Sequence, residues 1–340
     1  MQARGHSTAN EVGVGACRKP VAHSFRMKVT DLKKIAIVGS GSIGLYYGGR
    51  LAACGGNVHF LMRSGFQEAR RSGIRIYSKD AGDILLESPM VFREPEAIGL
   101  CDLVIVGLKT TANGSLKNLL PPLLQKETLL LTLQNGLGNE EALAELHAAR
   151  RILGGLCFVC LTRRTPATVD HFGHGTLSIG EFAQRPSARS RLIVEAFRET
   201  GVEARVVEKL AEERWRKLVW NIPFNGLSVA EGGATVDRIL ADPQLHCECR
   251  ALMDETVAAA NALGHPIEAD YASFQIERSY SMGSYKPSTL VDWLAGEPLE
   301  LEAIWGRPLN LARGAGVRMP HLERLFERLV ATNRDTCKTA

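Results

Sequence analysis

The chain has 340 residues, 45% hydrophobic and 23% charged, with 33 glycines. That composition suits two domains of about 150 residues around one cleft, and it excludes disordered, collagenous and fibrous classes. The net charge of +4 sits at one end: residues 1–34 hold seven bases and two acids, leaving 34 bases and 35 acids in the remaining 306 residues. A nearly neutral body argues against nucleic acid as the main partner. There is no membrane-length apolar run and no apolar secretory core, so the sequence predicts a soluble cytoplasmic protein with its eight cysteines reduced.

Residues 1–32 lack periodicity and read as a flexible leader or an over-long start, with Met27 as an alternative first residue. From Lys34 the pattern changes. Ile35 to Val38 is a short buried strand, Gly39-Ser-Gly-Ser-Ile-Gly44 follows without a gap, a helix runs to about Cys54, and Val58 to Met62 is a second strand. Alternating segments at Ile74 to Tyr77 and Ile84 to Leu86 come next. A buried strand at Asp102 to Leu108, a helix over 112–125 and a strand at Thr128 to Leu133 follow, closed by Gln134-Asn-Gly-Leu-Gly138. Apolar strands alternating with helices predict an α/β fold with a parallel, doubly wound, Rossmann-type sheet.

Gly154 to Phe182 is strand-rich. Within it Cys157 and Cys160 form a C-x-x-C whose strand alternation points the sulfurs to opposite faces, so no metal is expected there. A helix at about 187–200 and a strand at Val202 to Val207 precede a segment that is almost purely helical to about Asn333, ending in a helix over Leu322 to Val330. The expected division is a leader over 1–32, a nucleotide-binding domain over 33–208 and an all-α C-terminal domain over 209–335.

The G-x-G-x-x-G motif lies between a buried strand and a helix start, the context in which glycines allow a tight turn and a pyrophosphate can approach a helix N-terminus. Gly39, Ser40, Gly41, Ser42, Ile43 and Gly44 are the expected cradle. No acid occurs between Cys54 and Gly65 to meet a ribose hydroxyl; the second strand ends instead at Met62-Arg63. The planar fork of Arg63 suits a 2′-phosphate, which favours NADP over NAD. Lys109, at the end of its strand, adds a second positive charge near the same phosphates.

In the helical half, Lys217, Asn221 and Asn225 are spaced i, i+4, i+8 amid Leu218, Val219, Trp220, Ile222 and Phe224. A lysine and two amides stacked on one face need partners, which a polar cleft supplies. The bland alternative is a solvated stripe, and Pro223 is positioned to break the row. Glu300 and Glu302 fall near the start of the last helix but one, where first-turn acids are common.

Six motifs in order resemble the ketopantoate reductases, also called 2-dehydropantoate 2-reductases: the glycine motif, Leu108-Lys109, Asn135-Gly136-Leu137-Gly138, Trp215 to Asn225, Lys286-Pro287-Ser288, and Glu300 to Glu302. The resemblance covers about residues 33–335. It implies NADPH-dependent reduction of the C2 ketone of 2-dehydropantoate, giving pantoate for pantothenate and coenzyme A synthesis. By the same resemblance Lys217 is the catalytic general acid, Glu300 bonds near the reacting hydroxyl and orients the lysine, and Asn135 touches cofactor and substrate. Asn221 and Asn225 hold the substrate, and Ser288 binds its carboxylate. The implied partner is a small 2-keto acid, with no membrane and with a homodimer left open.

Three departures from the family pattern stand out. Trp305 precedes Gly306 where Asn is usual, Tyr285 stands three before the serine where Asn is common, and Gly226-Leu227-Ser228 replaces Pro-Leu-Thr. Tyr285 and Trp305 are expected to add apolar bulk near the pocket. That leaves two alternatives, a paralogue reducing another branched 2-keto acid and a non-catalytic NADP sensor. A sensor would need neither Lys217 nor Glu300.

Overall fold

The computed structural model describes residues 29–339. Packing begins ahead of the expected border at Lys33: Val29–Asp31 is a 3-10 turn, Val29 and Leu32 are buried, and the Val29 amide donates to Glu199 Oε2 at 2.6 Å. The rest of the expected leader lies outside the described residues.

Among the described residues, one sheet contains β1 (Ile35–Val38), β2 (Val58–Leu61), β3 (Ile74–Ser78), β4 (Ile84–Leu86), β5 (Met90–Phe92), β6 (Leu103–Val106), β7 (Leu129–Thr132), β8 (Ile152–Thr165), β9 (Thr168–Glu181) and β10 (Ala204–Val206). The order is β4-β3-β9-β8-β7-β6-β1-β2-β5, with β10 beside β9. β1 lies between β2 and β6, parallel to both. The chain therefore moves to one side of β1 and returns on the other, which opens a crevice at the carboxyl end of β1, where the glycine motif begins. Ile35 and Ile37 pack into one core cluster and Ala36 and Val38 into another, so β1 is covered on both faces and has no polar alternation.

Two expectations are corrected. The sheet is mixed, because β8 and β9 pair antiparallel and β4 is antiparallel to β3. Only two residues separate β8 from β9, too few for the crossover a parallel pair needs. Nor is there one helix over 112–125: turns at Thr110–Ser115, Leu116–Leu119 and Pro121–Leu123 replace it. Pro121 and Pro122 lack the amides a helix interior requires, and Asn113-Gly114 are weak helix formers.

From Leu210 the chain is helical. The Leu210–Ala230 helix packs against the Pro243–Ala262, Ser288–Leu294 and Pro320–Thr339 helices. It runs unbroken through Pro223, so Lys217, Asn221 and Asn225 keep their shared face. The proline's cost is confined to the Val219 carbonyl, which loses its i+4 donor. Buried Trp215, Leu218, Ile222, Phe224, Trp305 and Leu325 anchor this second core, each such side chain contributing about 1.5 to 3 kcal/mol.

Candidate active site

The glycines divide by what surrounds them. A Cβ on Gly39, whose φ is +97°, would lie 2.3 Å from the Leu108 amide nitrogen, and one on Gly44 would lie 2.2 Å from the Gly39 carbonyl oxygen. These two are glycine because backbone passes against backbone. Gly41 has nothing within 4 Å of its Cβ position. It is the N-cap of the Ser42–Ala53 helix, and no side chain caps that end. Amide donors and open space therefore coincide at Gly41, the combination an anion needs. Ser40 is already committed: its Oγ donates to the Leu61 carbonyl at 3.0 Å and ties the loop to the end of β2. Ser42 and Ile43 are half-buried in the first turn, and Arg63 is exposed just beyond β2.

Lys217 is half-buried, and its Nζ donates to Asn135 Oδ1 and to the Cys157 carbonyl, each at 2.8 Å. The ammonium also lies 5.3 Å from the centre of the Phe158 ring. Burial lowers its pKa to about 8; Arg214 pushes the same way, while Cys157 and Glu300 oppose. The lysine is thus oriented by Asn135 and a β8 carbonyl. Glu300, expected to orient it, is engaged elsewhere: its Oε1 accepts from the Thr110 amide at 2.7 Å, and its Oε2 lies 3.9 Å from Lys109 Nζ.

The loop carrying Asn135 is fixed on two sides. Leu137 donates its amide to the Ala303 carbonyl at 2.8 Å, and a Cβ on Gly136 would lie 2.2 Å from that oxygen. Ala303 belongs to a π-helical turn, Glu302–Gly306, in which the i+5 donor to its carbonyl would be Pro308. Proline has no N–H, so the carbonyl is left for Leu137. On the other side Arg214 and Glu140, both buried, form an ion pair, and Arg214 Nη1 donates to the Gln134 carbonyl at 2.8 Å. Sequence reasoning missed this pair. Its one signal was the position of Arg214, three residues before Lys217.

Lys109 pairs with Asp292 across the cleft. Burial lowers its pKa, but Glu300 and Asp292 outweigh that and raise it overall. Asn225, expected to hold substrate, points its Oδ1 at the start of the Ser288–Leu294 helix, accepting from the Thr289 amide at 3.0 Å and the Ser288 hydroxyl at 3.4 Å. It therefore positions Ser288. Asn221 is buried, and its amide has no hydrogen-bond partner among the described residues. A cavity of about 340 Å³ opens where Thr110, Asn113, Gly138, Glu300 and Arg307 meet.

Trp305 is not in the pocket. It is wholly buried in the helical core, with its indole N–H on the Ile222 carbonyl at 3.0 Å. Tyr285 is half-buried against the Cys160 thiol, 3.6 Å from its hydroxyl, and its ring centre lies 6.4 Å from that of Trp220.

Residues 35–184 match the model of the ketopantoate reductase PanE/ApbA family, and residues 209–333 match that of its C-terminal region. A 2-dehydropantoate 2-reductase from Nostoc sp. is 37% identical over 302 residues, 87% of this chain and 94% of the relative. The crystal structure of 2-dehydropantoate 2-reductase from Geobacter metallireducens GS-15 superimposes with a TM-score of 0.85 at 43% identity, covering 88% of this chain and 99% of that one. The enzyme of the same name from Methylococcus capsulatus gives 0.82 at 32% identity, covering 89% and 97%. With both halves matched in order on one fold, the chain belongs to the ketopantoate reductase family.

Proposed function

We propose that this protein reduces the C2 ketone of 2-dehydropantoate to pantoate with NADPH, a cytoplasmic step toward pantothenate and coenzyme A. The observation that carries the reading is Lys217, an ammonium with a proton affinity near neutrality held between Asn135 and the Cys157 carbonyl. Residues 33–208 serve as the NADP-binding domain and 209–335 as the domain that supplies the proton.

The cradle fits a dinucleotide, since Gly41 leaves space in front of uncapped amides where a Cβ would stand. Gly39 to Gly44 would hold the pyrophosphate and Arg63 the 2′-phosphate, and Lys109 reaches the cofactor by exchanging Asp292 for it. Bound NADPH supplies the hydride. As negative charge grows on the ketone oxygen, Lys217 stabilises it and then gives it a proton. Asn135 keeps the ammonium at that position, the unpartnered amide of Asn221 faces the substrate, and Asn225 holds Ser288 for the carboxylate. Glu300, fixed by Thr110, adds negative charge that favours the protonated lysine.

A second reading, reduction of another 2-keto acid, is favoured by Tyr285, whose hydroxyl meets Cys160 where the family commonly has Asn. The test is NADPH oxidation across a panel of 2-keto acids. Turnover led by 2-dehydropantoate supports the proposal, and negligible turnover of it beside good activity on another acid replaces it with the second reading.

A further inference from the structure

The buried Arg214–Glu140 pair spans the two halves of the site. Arg214 precedes Lys217 by three residues on the same helix, and Glu140 follows Asn135 by five. Arg214 Nε donates to Glu140 Oε1 at 3.1 Å, Nη2 bonds the same oxygen, and Nη1 donates to the carbonyl of Gln134, the residue before Asn135. Both side chains are about 5% exposed or less. β8 makes room for them: a Cβ on Gly154 would lie 2.2 Å from Glu140 Oε1 and 2.9 Å from Arg214 Nη2.

The pair belongs to a larger network. Gln134 Nε2 donates to Asn113 Oδ1 at 2.7 Å, Asn113 Nδ2 donates to Asn139 Oδ1 at 3.1 Å, and Asn139 Nδ2 donates to the Asn135 carbonyl at 2.9 Å. Asn135 is therefore held through its own carbonyl and through its neighbour's, and only its side chain reaches the lysine. A buried ion pair adds little net stability compared with well-packed apolar residues, so its cost points to a geometric role.

We propose that Arg214 is a positioning residue: through Glu140 and the Gln134 carbonyl it fixes the 134–140 loop against the Leu210–Ala230 helix and so sets the Asn135–Lys217 contact. It also places a fixed positive charge beside the lysine. The other groups that act on Lys217 are Cys157 from β8 and Glu300 from the segment before the π-helical turn, and both oppose Arg214. This inference rests on the reductase reading for its kinetic consequence and not for its electrostatic one.

The test compares wild type with the Arg214→Leu/Glu140→Leu double variant, which leaves no buried charge unpaired, and with Arg214→Lys, which keeps charge but loses the fork. Two readouts are taken: NADPH-dependent reduction against pH, and the pH dependence of Lys217 acylation followed by peptide mass spectrometry. The double variant is expected to fold, to lose about 100-fold in kcat through misplacement of the reacting groups, and to titrate Lys217 at higher pH than wild type. Arg214→Lys should lose kcat while keeping the wild-type midpoint. A folded double variant with wild-type kcat and an unmoved midpoint overturns the proposal. A wild type that reduces no 2-keto acid overturns the reductase reading alone, and the acylation midpoints then decide the role of Arg214.

Discussion

Trp305 occupies the space that Gly226 leaves open. A Cβ on Gly226 would lie 3.0 Å from Trp305 Nε1 and 2.6 Å from Leu325 Cδ2, so the indole and the glycine form one packing unit. Two of the three family departures are thus a single change in the helical core. Trp305→Asn is expected to destabilise the fold by about 3 to 5 kcal/mol, as loss of a large buried aromatic does, while the KM for the 2-keto acid stays unchanged. Denaturant unfolding and steady-state kinetics check this together; an altered KM in a stable variant would return Trp305 to the pocket.

The open face of Gly41 separates binding from folding. Gly41→Ala should fold with a thermal midpoint near wild type, because nothing lies within 4 Å of the added methyl. Its dinucleotide affinity should fall at least tenfold, about 1.4 kcal/mol. Gly44→Ala meets the Gly39 carbonyl and should lose about 1 to 3 kcal/mol of stability. Differential scanning calorimetry and NADPH titration give both numbers, and undiminished binding by a folded Gly41→Ala protein would contradict the cradle.

Arg63 is exposed past the end of β2, so its substitution should disturb little besides the cofactor. Arg63→Ala is expected to weaken NADPH binding by about 1.5 to 3 kcal/mol, the range for a hydrogen bond to a charged group, and to leave NADH binding nearly unchanged. Titration with both dinucleotides measures the difference. Equal losses would mean that the 2′-phosphate is recognised elsewhere.

Features governed by short sequence periods are legible in the sequence alone. The glycine motif is read from six consecutive residues and the lysine row from the helical repeat, and both survive, Pro223 included, because a helix packed on several sides tolerates one missing amide. What the sequence hid depends on distant neighbours. Lys109 meets Asp292 from 183 residues away and Arg214 meets Glu140 from 74, and neither pairing has a local signature. The place of Trp305 follows the same rule: its position in the family pattern suggests the pocket, whereas the π-helical turn buries the indole against Ile222. The expected helix over 112–125 gives way to short turns because Asn113-Gly114 and the Pro121-Pro122 pair oppose a continuous helix.

On the proposed reading, Lys217 sets the alkaline limit of the reaction. Its folded pKa lies near 8, below the ordinary lysine value of 10.5, chiefly through burial. A general acid must be protonated, so kcat is expected to hold below pH 8 and to fall as pH rises through that value. An unshifted lysine would keep activity up to its ordinary value of 10.5. Lys217→Ala should reduce kcat by about 10² to 10⁴-fold, the usual contribution of a general acid, and abolish the alkaline limb. Asn135→Ala removes one of the two acceptors that hold the ammonium, so it should lower kcat while leaving a titrating limb. Rate profiles of the three proteins distinguish these outcomes: a limb that persists in Lys217→Ala would assign the proton to another group.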